Sequence, residues 1–520
     1  MSPCRAAVRV VAAIAIGLAV WIAGAPPLHA QPAAVPCENG QAGPYACDRV
    51  DLLAEMDLVA LGSSYAQGDL TNWWWGNDIW GWTDPETGTE YALVGTWEGV
   101  SFVDLSTPTA PVLVGMLPTA AQRGDLRTIG NLWRDIKTRG TYAYIVSEVP
   151  GHGVQVFDLR RLRSITEAPV EFEPDARYTG IGSAHNIVAS DDLDVVIAVG
   201  HDTNNLECLT GLYLIDVTTP TAPRYSGCFG ADGYTHDAQC IVYDGPDSDY
   251  QGRTVCFSSN TIMLSISDIT EPARTRALST AIYPTVVFTH QGWLTEDRRF
   301  FFMNDEGDDG ATDIGGTRTI VMNVEDLDAP FYVGAYIAPT TTIDHNHYIA
   351  GDLLFQANYE SGFRLHRINP DDPAALTLVG FFDTYPESDS FGSNGAWSVY
   401  PFFESGIVIV SDQQRGLFVL QPEATAVASE SAPDGAVARL SAAYPNPFGD
   451  RTTLTLTLDS PEHVRAEVYD LLGRRVATLL NSTTDGALLT VDGAGLPSGV
   501  YVVRVVGETF AETRRLTLAR

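Results

Sequence analysis

Gly99-Val-Ser-Phe-Val-Asp104 and Gly153-Val-Gln-Val-Phe-Asp158 are two copies of one pattern: a glycine, an alternating apolar strand and a closing acid. The pattern returns at Gly211-Leu-Tyr-Leu-Ile-Asp216, Ile262-Met-Leu-Ser-Ile-Ser-Asp268, Thr319-Ile-Val-Met-Asn-Val-Glu325, Gly362-Phe-Arg-Leu-His-Arg-Ile-Asn369 and Gly416-Leu-Phe-Val-Leu420. Alternation of period two marks a strand, and a repeat of roughly 45 to 58 residues holding several short strands marks a β-propeller blade. The second copy reads in full as Trp133-Arg-Asp-Ile-Lys137, Tyr142-Ala-Tyr-Ile-Val146, Val154 to Leu159 and a fourth strand near Val170-Glu-Phe172. The last copy has strands near Trp397, at Ile407-Val-Ile-Val410 and at Leu417 to Leu420, but no fourth. Met56-Asp-Leu-Val-Ala-Leu61 is an orphan strand near the start of the mature chain, so it is expected to complete the seventh blade and remove the ring's free edges. The predicted fold is all-β: a seven-bladed β-propeller over residues 31–422, followed by a smaller domain.

At 520 residues the chain can hold more than one domain. Residues 1–30 read as a signal peptide: Arg5 and Arg9 lead an apolar run from Val10 to Ala23, and Leu28-His-Ala30 resembles a cleavage site. The alternative is a membrane anchor, for which the run is short; no other stretch approaches spanning length, so no transmembrane segment is expected in the mature chain. A net charge of −34 argues against nucleic acid or an anionic membrane as partner, since both need a basic surface. Lys137 is the sole lysine.

Removing the leader takes Cys4 with it and leaves Cys37, Cys47, Cys208, Cys228, Cys240 and Cys256. An even count in an exported chain favours disulfides, and proximity along the chain suggests Cys37–Cys47, Cys208–Cys228 and Cys240–Cys256 among the fifteen connectivities. Cys240–Cys256 would join neighbouring strands of one blade.

After Gln421 the composition turns small and polar, which makes 423–441 a linker. Beyond it Thr452 to Leu458, Val464 to Tyr469, Ala487 to Val491, Val500 to Val506 and Arg515 to Leu518 alternate cleanly, as the strands of a small Ig-like β-sandwich over 442–520 would.

Tyr444-Pro-Asn-Pro-Phe448, Val468-Tyr-Asp-Leu-Leu-Gly473, Leu496-Pro-Ser-Gly-Val-Tyr501 and the Arg-rich last strand resemble the type A C-terminal sorting domain of the type IX secretion system. That resemblance implies a Bacteroidota-like Gram-negative source. It also implies the type IX machinery as partner and a final location outside the cell, released or held at the outer-membrane surface. The propeller resembles the choice-of-anchor B family with its LVIVD-type repeats. The carriers are Asn77-Asp-Ile-Trp-Gly-Trp82, Trp133-Arg-Asp-Ile136, Ser183-Ala-His-Asn-Ile187, Gly233-Tyr-Thr-His-Asp-Ala-Gln239, Thr289-His-Gln-Gly-Trp293 and Ile343-Asp-His-Asn346. This second resemblance implies architecture and location, with an unknown extracellular ligand or protein as partner, and no chemistry.

These motifs sit at the start of the opening strand, which is innermost in a propeller. Asp78, Asp135, His185, His236, His290 and His345 are therefore expected to ring the axis, with Trp397 in the last blade. Glu148, His201, Asp305 and Asp412 lie in loops expected at the same rim, as do Glu306, Asp308, Asp309 and Asn358. Neutral imidazole with carboxylate suits a divalent transition metal ion, whereas carboxylate alone suits calcium. The plainer reading is that His-Asn and His-Asp pairs cap turns and recur through duplication of the blade. A third reading makes the ring a metal-dependent hydrolase with Asp135 or Glu148 as base.

Two acidic loops, Asp244 to Asp249 and Asn304 to Asp313, invite a calcium reading, but neither has EF-hand spacing and solvation explains both. Trp73 to Trp75 with Trp80, Trp82 and Trp97 offer either carbohydrate stacking or packing. The chain has no nucleophile elbow, phosphate-binding glycine loop or H-E-x-x-H, so the leading expectation is an exported binding or interaction module rather than an enzyme.

Overall fold

The computed structural model describes residues 34–63, 76–120, 133–202, 208, 210–309, 314–425, 438–440, 448–470, 475–497, 499–507 and 511–518. The signal-peptide region, Trp73 to Trp75 and most of the expected linker lie outside them. The chain divides into two units, Met1–Ala426 and Val427–Arg520.

The first unit is a β-propeller built from small sheets strung along the chain. Each sheet has an antiparallel core of consecutive strands, as in Asp237–Val242, Thr254–Ser259, Leu264–Asp268 and Arg276–Ala281. The first strand of each contacts the first strand of the next, from Gly76–Thr83 round to Ala396–Tyr400, which packs back on Gly76–Thr83. Such a ring needs close approach at its seam: a Cβ on Gly81 would lie 2.1 Å from the Tyr400 ring.

Burial follows from this arrangement. A second or third strand has a neighbouring sheet on both faces, so Phe300–Asp305 is buried throughout and reads as an apolar run. The outermost strand Phe331–Ile337 is mostly exposed or half-exposed. Aromatic contacts between sheets, such as Phe102 on Phe157 at 4.7 Å and Phe257 on Phe301 at 5.6 Å, fill the gaps between blades.

The closing strand is Val50–Met56, not Met56 to Leu61. Val50, Leu52, Ala54 and Met56 alternate inward and pair with Gly416–Pro422, whereas the next residues turn: Asp57 Oδ1 accepts from the Ala60 amide at 2.7 Å. The segment read as the second blade's outer strand is also reassigned. Val170–Glu171 runs parallel to Val112–Pro118 of the preceding sheet, and Ala176–Tyr178 takes the outer position. Gly115 makes that detour possible, since a Cβ there would sit 2.3 Å from the Val170 carbonyl oxygen. The disulfides are Cys37–Cys47, Cys208–Cys228 and Cys240–Cys256, the last between directly paired residues.

The second unit is one hydrogen-bonded set of Ala438–Leu440, Arg451–Asp470, Arg475–Asp492, Gly499–Val506 and Ala511–Leu518. Two strands expected to be separate, Thr452 to Leu458 and Val464 to Tyr469, run on as one because the partner hairpin stays paired past an irregularity between Thr457 and Glu462. Leu454, Leu456, Val464, Val468, Val503 and Leu516 form its core, and Phe448 is buried against it.

Candidate functional site

The axis is built from the first residues of the inner strands. His185, His236, His290 and His345 stand in sequence around it, with ring centroids 4.3, 4.2 and 4.4 Å apart. Trp397 continues the circle 4.5 Å beyond His345, and Trp133 lies 6.3 Å from His185 at the other end. Strand pairing fixes the spacing, because each ring sits on the residue that enters its own inner strand.

The hydrogen bonds determine which nitrogen faces inward. His236 Nδ1 donates to the His290 carbonyl at 2.9 Å, His290 Nδ1 to the His345 carbonyl at 3.2 Å, and His345 Nδ1 to the Trp397 carbonyl at 2.6 Å. A carbonyl can only accept, so each Nδ1 carries the proton and each neutral ring keeps its Nε2 lone pair. This is the outer-shell arrangement that orients metal-binding imidazoles. Burial, reinforced by the adjacent imidazoles, holds the His236 and His290 pKa values well below the ordinary range; burial lowers His345 as well, against the opposing pull of Glu306.

The rings line a cavity of about 180 Å³ with Glu306, Tyr359, Ser393 and Gln413. One ligand atom each from His290, Glu306 and His345 falls within 4.8 Å of the others, and His290 Nε2 to Glu306 Oε2 is 3.8 Å. Bonds of about 2.1 Å in a tetrahedral shell place ligand atoms roughly 3.4 Å apart, so a small contraction would close this set on an ion. Tyr359 Oη donates to Glu306 Oε1 at 2.8 Å and leaves Oε2 facing His290. His185 also lines the cavity, but its Nδ1 donates to a side chain, Glu148 Oε1 at 2.7 Å, rather than to a backbone carbonyl.

Asp78 and Asp135 do not join this ring. Asn77 and Arg134 occupy the place of the histidines: the Arg134 amide donates to Asn77 Oδ1 at 2.8 Å across the boundary between their two blades, as the His236 Nδ1 bond to the His290 carbonyl crosses the boundary between theirs. Asp78 and Asp135 come one residue later, and on a strand of period two that sends the side chain another way. They meet Lys137 instead, whose Nζ lies 3.2 Å from Asp78 Oδ2, bonds Asp135 Oδ1 and sits 4.6 Å over the Trp80 ring. Burial works against its charge, yet the two carboxylates hold Lys137 protonated well above the lysine range. Asp237 stands at the equivalent position of another blade, and burial raises its pKa to about 6 against the pull of Lys137.

Beyond this layer Trp80, Trp293, Tyr348, Tyr400 and Phe402 line a separate cavity of about 380 Å³. Of the other tryptophans, Trp82 and Trp97 are buried, and Trp82 stacks on Tyr91 and donates to the Gly140 carbonyl; their role is packing.

The remaining rim candidates hold loops. His201 packs on Tyr213 at 5.2 Å. Asp305 accepts from the Val287 and Phe288 amides, both at 2.7 Å, and from Tyr283 Oη at 2.8 Å. Asp412 accepts from the Gln414 and Arg415 amides at 2.8 Å. Asp305 is satisfied by its own loop, whereas both His201 nitrogens and Asp412 Oδ2 are buried without a hydrogen-bond partner among the described residues, and none of the three lines the cavity. Trp133 and Tyr359 are mouth residues that the sequence reading passed over as ligands; the aromatic start of Trp133-Arg-Asp-Ile136 was the available signal.

Comparison with known proteins bears on the second unit. Residues 442–519 match the secretion system C-terminal sorting domain. The sorting domain coincides with the expected terminal module. No curated protein matches the chain. Among solved structures, the β-propeller domain of Cps50 (Swd1) from Myceliophteria thermophila is 11% identical, with 64% of this chain and 93% of that one covered and a TM-score of 0.41. The periplasmic gluconolactonase PpgL of Pseudomonas aeruginosa is 13% identical over 63% of this chain and 87% of its own, with a TM-score of 0.41. At these levels the likeness says nothing about activity.

Proposed function

We propose that this is a secreted or surface-attached protein, exported through the type IX machinery by its sorting domain, whose seven-bladed propeller of the choice-of-anchor B type binds a divalent transition metal ion at its axial mouth. One blade corresponds to each inner strand from Gly76–Thr83 to Ala396–Tyr400, and the sorting domain is read as an Ig-like sandwich folded from its two long strands. The disulfides and the sorting-domain match support an extracellular destination.

The observation that carries the metal reading is the run of Nδ1–H donations from His236, His290 and His345 to backbone carbonyls, which presents unprotonated Nε2 atoms to a cavity that also holds Glu306. His290, His345 and Glu306 form the core of the set, with His236 beside it. Borderline-soft nitrogen donors with one carboxylate favour zinc or copper over calcium. Binding is favoured over hydrolysis, because the two groups considered as bases are engaged: Asp135 by Lys137 and Glu148 by His185.

The test is metal content by mass spectrometry on the full chain and on a His290→Ala, His345→Ala variant after incubation with zinc, copper, manganese and calcium. Stoichiometric transition metal that the variant loses is the expected result. Wild-type protein that takes up no transition metal would leave the imidazoles as turn caps and overturn the reading.

A further inference from the structure

The loop after Phe300–Asp305 is acidic, and solvation would explain it if it were exposed. It is not. Asp305 and Asp308 are fully buried and Asp309 is 8% exposed, while Asp344, on the segment leading into Asn346–Ala350, is also fully buried. Asp309 Oδ2 accepts the Asp344 amide at 2.8 Å and Oδ1 accepts the Arg318 amide at 3.0 Å. Arg318, 5% exposed, pairs with Asp308 and is the cation of this cluster. Among the described residues, four buried carboxylates therefore face one guanidinium.

Hydrogen bonding sharpens the imbalance. Asp305 is saturated by amides and Tyr283, but among the described residues Asp308 Oδ1 and both carboxylate oxygens of Asp344 have no donor. The Asp344 carboxyl meets that of Asp309, so something positive must stand between them. A buried carboxylate without a partner costs several kcal/mol by general expectation, and with all four ionised the cluster would carry about −3, a state that burial and mutual repulsion resist by pushing the Asp308 and Asp344 carboxyls above the usual range. A proton would settle a single oxygen pair. A hard divalent cation takes several carboxylate oxygens at once, including those already accepting one N–H, since each keeps a second lone pair.

We propose that Asp308, Asp309 and Asp344 hold a buried calcium-class ion. It ties the loop that carries Glu306 to the segment that carries His345, and its ligand set is all carboxylate and shares no residue with the imidazole mouth.

The test is thermal unfolding of the full chain in metal-depleted buffer at pH 7.5 and 150 mM salt, with and without millimolar calcium or magnesium, alongside calcium counting by equilibrium dialysis. Calcium should bind at one site per chain and raise the midpoint by about 3 °C or more, in wild type and equally in the His290→Ala, His345→Ala variant. Asp344→Asn and, independently, Asp308→Asn should lose the shift, while Asp244→Asn on the exposed acidic loop should keep it. The proposal is overturned if wild type shows no bound calcium and no shift, or if the shift survives both variants. It is equally overturned if Asp344→Asn simply raises the midpoint in calcium-free buffer with no calcium response in wild type, because protons then bridge the carboxyls.

Discussion

Two successive layers of the propeller axis, one residue apart in the repeat, solve the crowding of polar groups in opposite ways. In the imidazole layer the rings are neutral, their Nδ1 protons are committed to backbone carbonyls, and their lone pairs open onto a cavity. In the layer beneath, three aspartates converge and the chain supplies its own counterion, its single lysine. The difference teaches how to tell a structural from a receptive cluster. Lys137 closes the lower layer because its charge is already spent on Asp78 and Asp135, whereas the imidazole lone pairs of the upper layer face an open cavity.

Breaking the lower layer should have the largest effect. Lys137→Met leaves Asp78, Asp135 and Asp237 without their cation and should cost about 3–5 kcal/mol in chemical unfolding at pH 7. Because the orphaned carboxylates can then take up protons, part of that loss should return at pH 5; a loss independent of pH would mean that packing, not charge, dominates.

Asp237→Asn should act in the reverse direction. The folded-state pKa is raised to about 6, so between the unfolded value and that point the folded protein holds the extra proton. The carboxylate therefore adds stability at low pH and loses it as pH rises through about 6. Replacing it should stabilise the protein by roughly 2 kcal/mol at pH 7 and by nothing near pH 4, as urea titrations across pH would register.

In the upper layer, Glu306→Gln should weaken transition-metal affinity by at least about 10–100-fold, measured by competition with a chromogenic chelator, and leave the unfolding midpoint of metal-free protein nearly unchanged. Equal losses of affinity and stability would make Glu306 a scaffold residue like its neighbour Asp305. The smallest change expected is Trp80→Phe, which trades the better cation–π face under Lys137 and removes the Nε1 bond to Thr138; about 1 kcal/mol should be lost in thermal unfolding.

The two layers also mark how far the sequence could be read. Histidine at strand entry was legible because His185, His236, His290 and His345 recur with the blade, and a repeated local motif repeats its local geometry. The layer to which Asp78 and Asp135 belong was not, since an offset of one residue is invisible until neighbouring strands are in register. Asn77 and Arg134 then prove to be the true equivalents of the histidines. The buried acids of the Asp305–Asp309 loop were missed for a related reason: composition alone reads such a run as solvated, and only the packing of Arg318 and Asp344 against it removes the water.

What the sequence determined by itself is whatever lives within one repeat or one short span: the period-two strands, the propeller pattern, cysteine pairs 10, 20 and 16 residues apart, and the terminal sorting motif. The tertiary structure alone decided which strand closes the ring and which carboxylates meet Lys137. It also decided which imidazole nitrogen faces the axis. Those outcomes depend on partners some 50 or more residues apart, such as His236 with His290 and Asp78 with Lys137, and such pairs become neighbours only when the ring shuts.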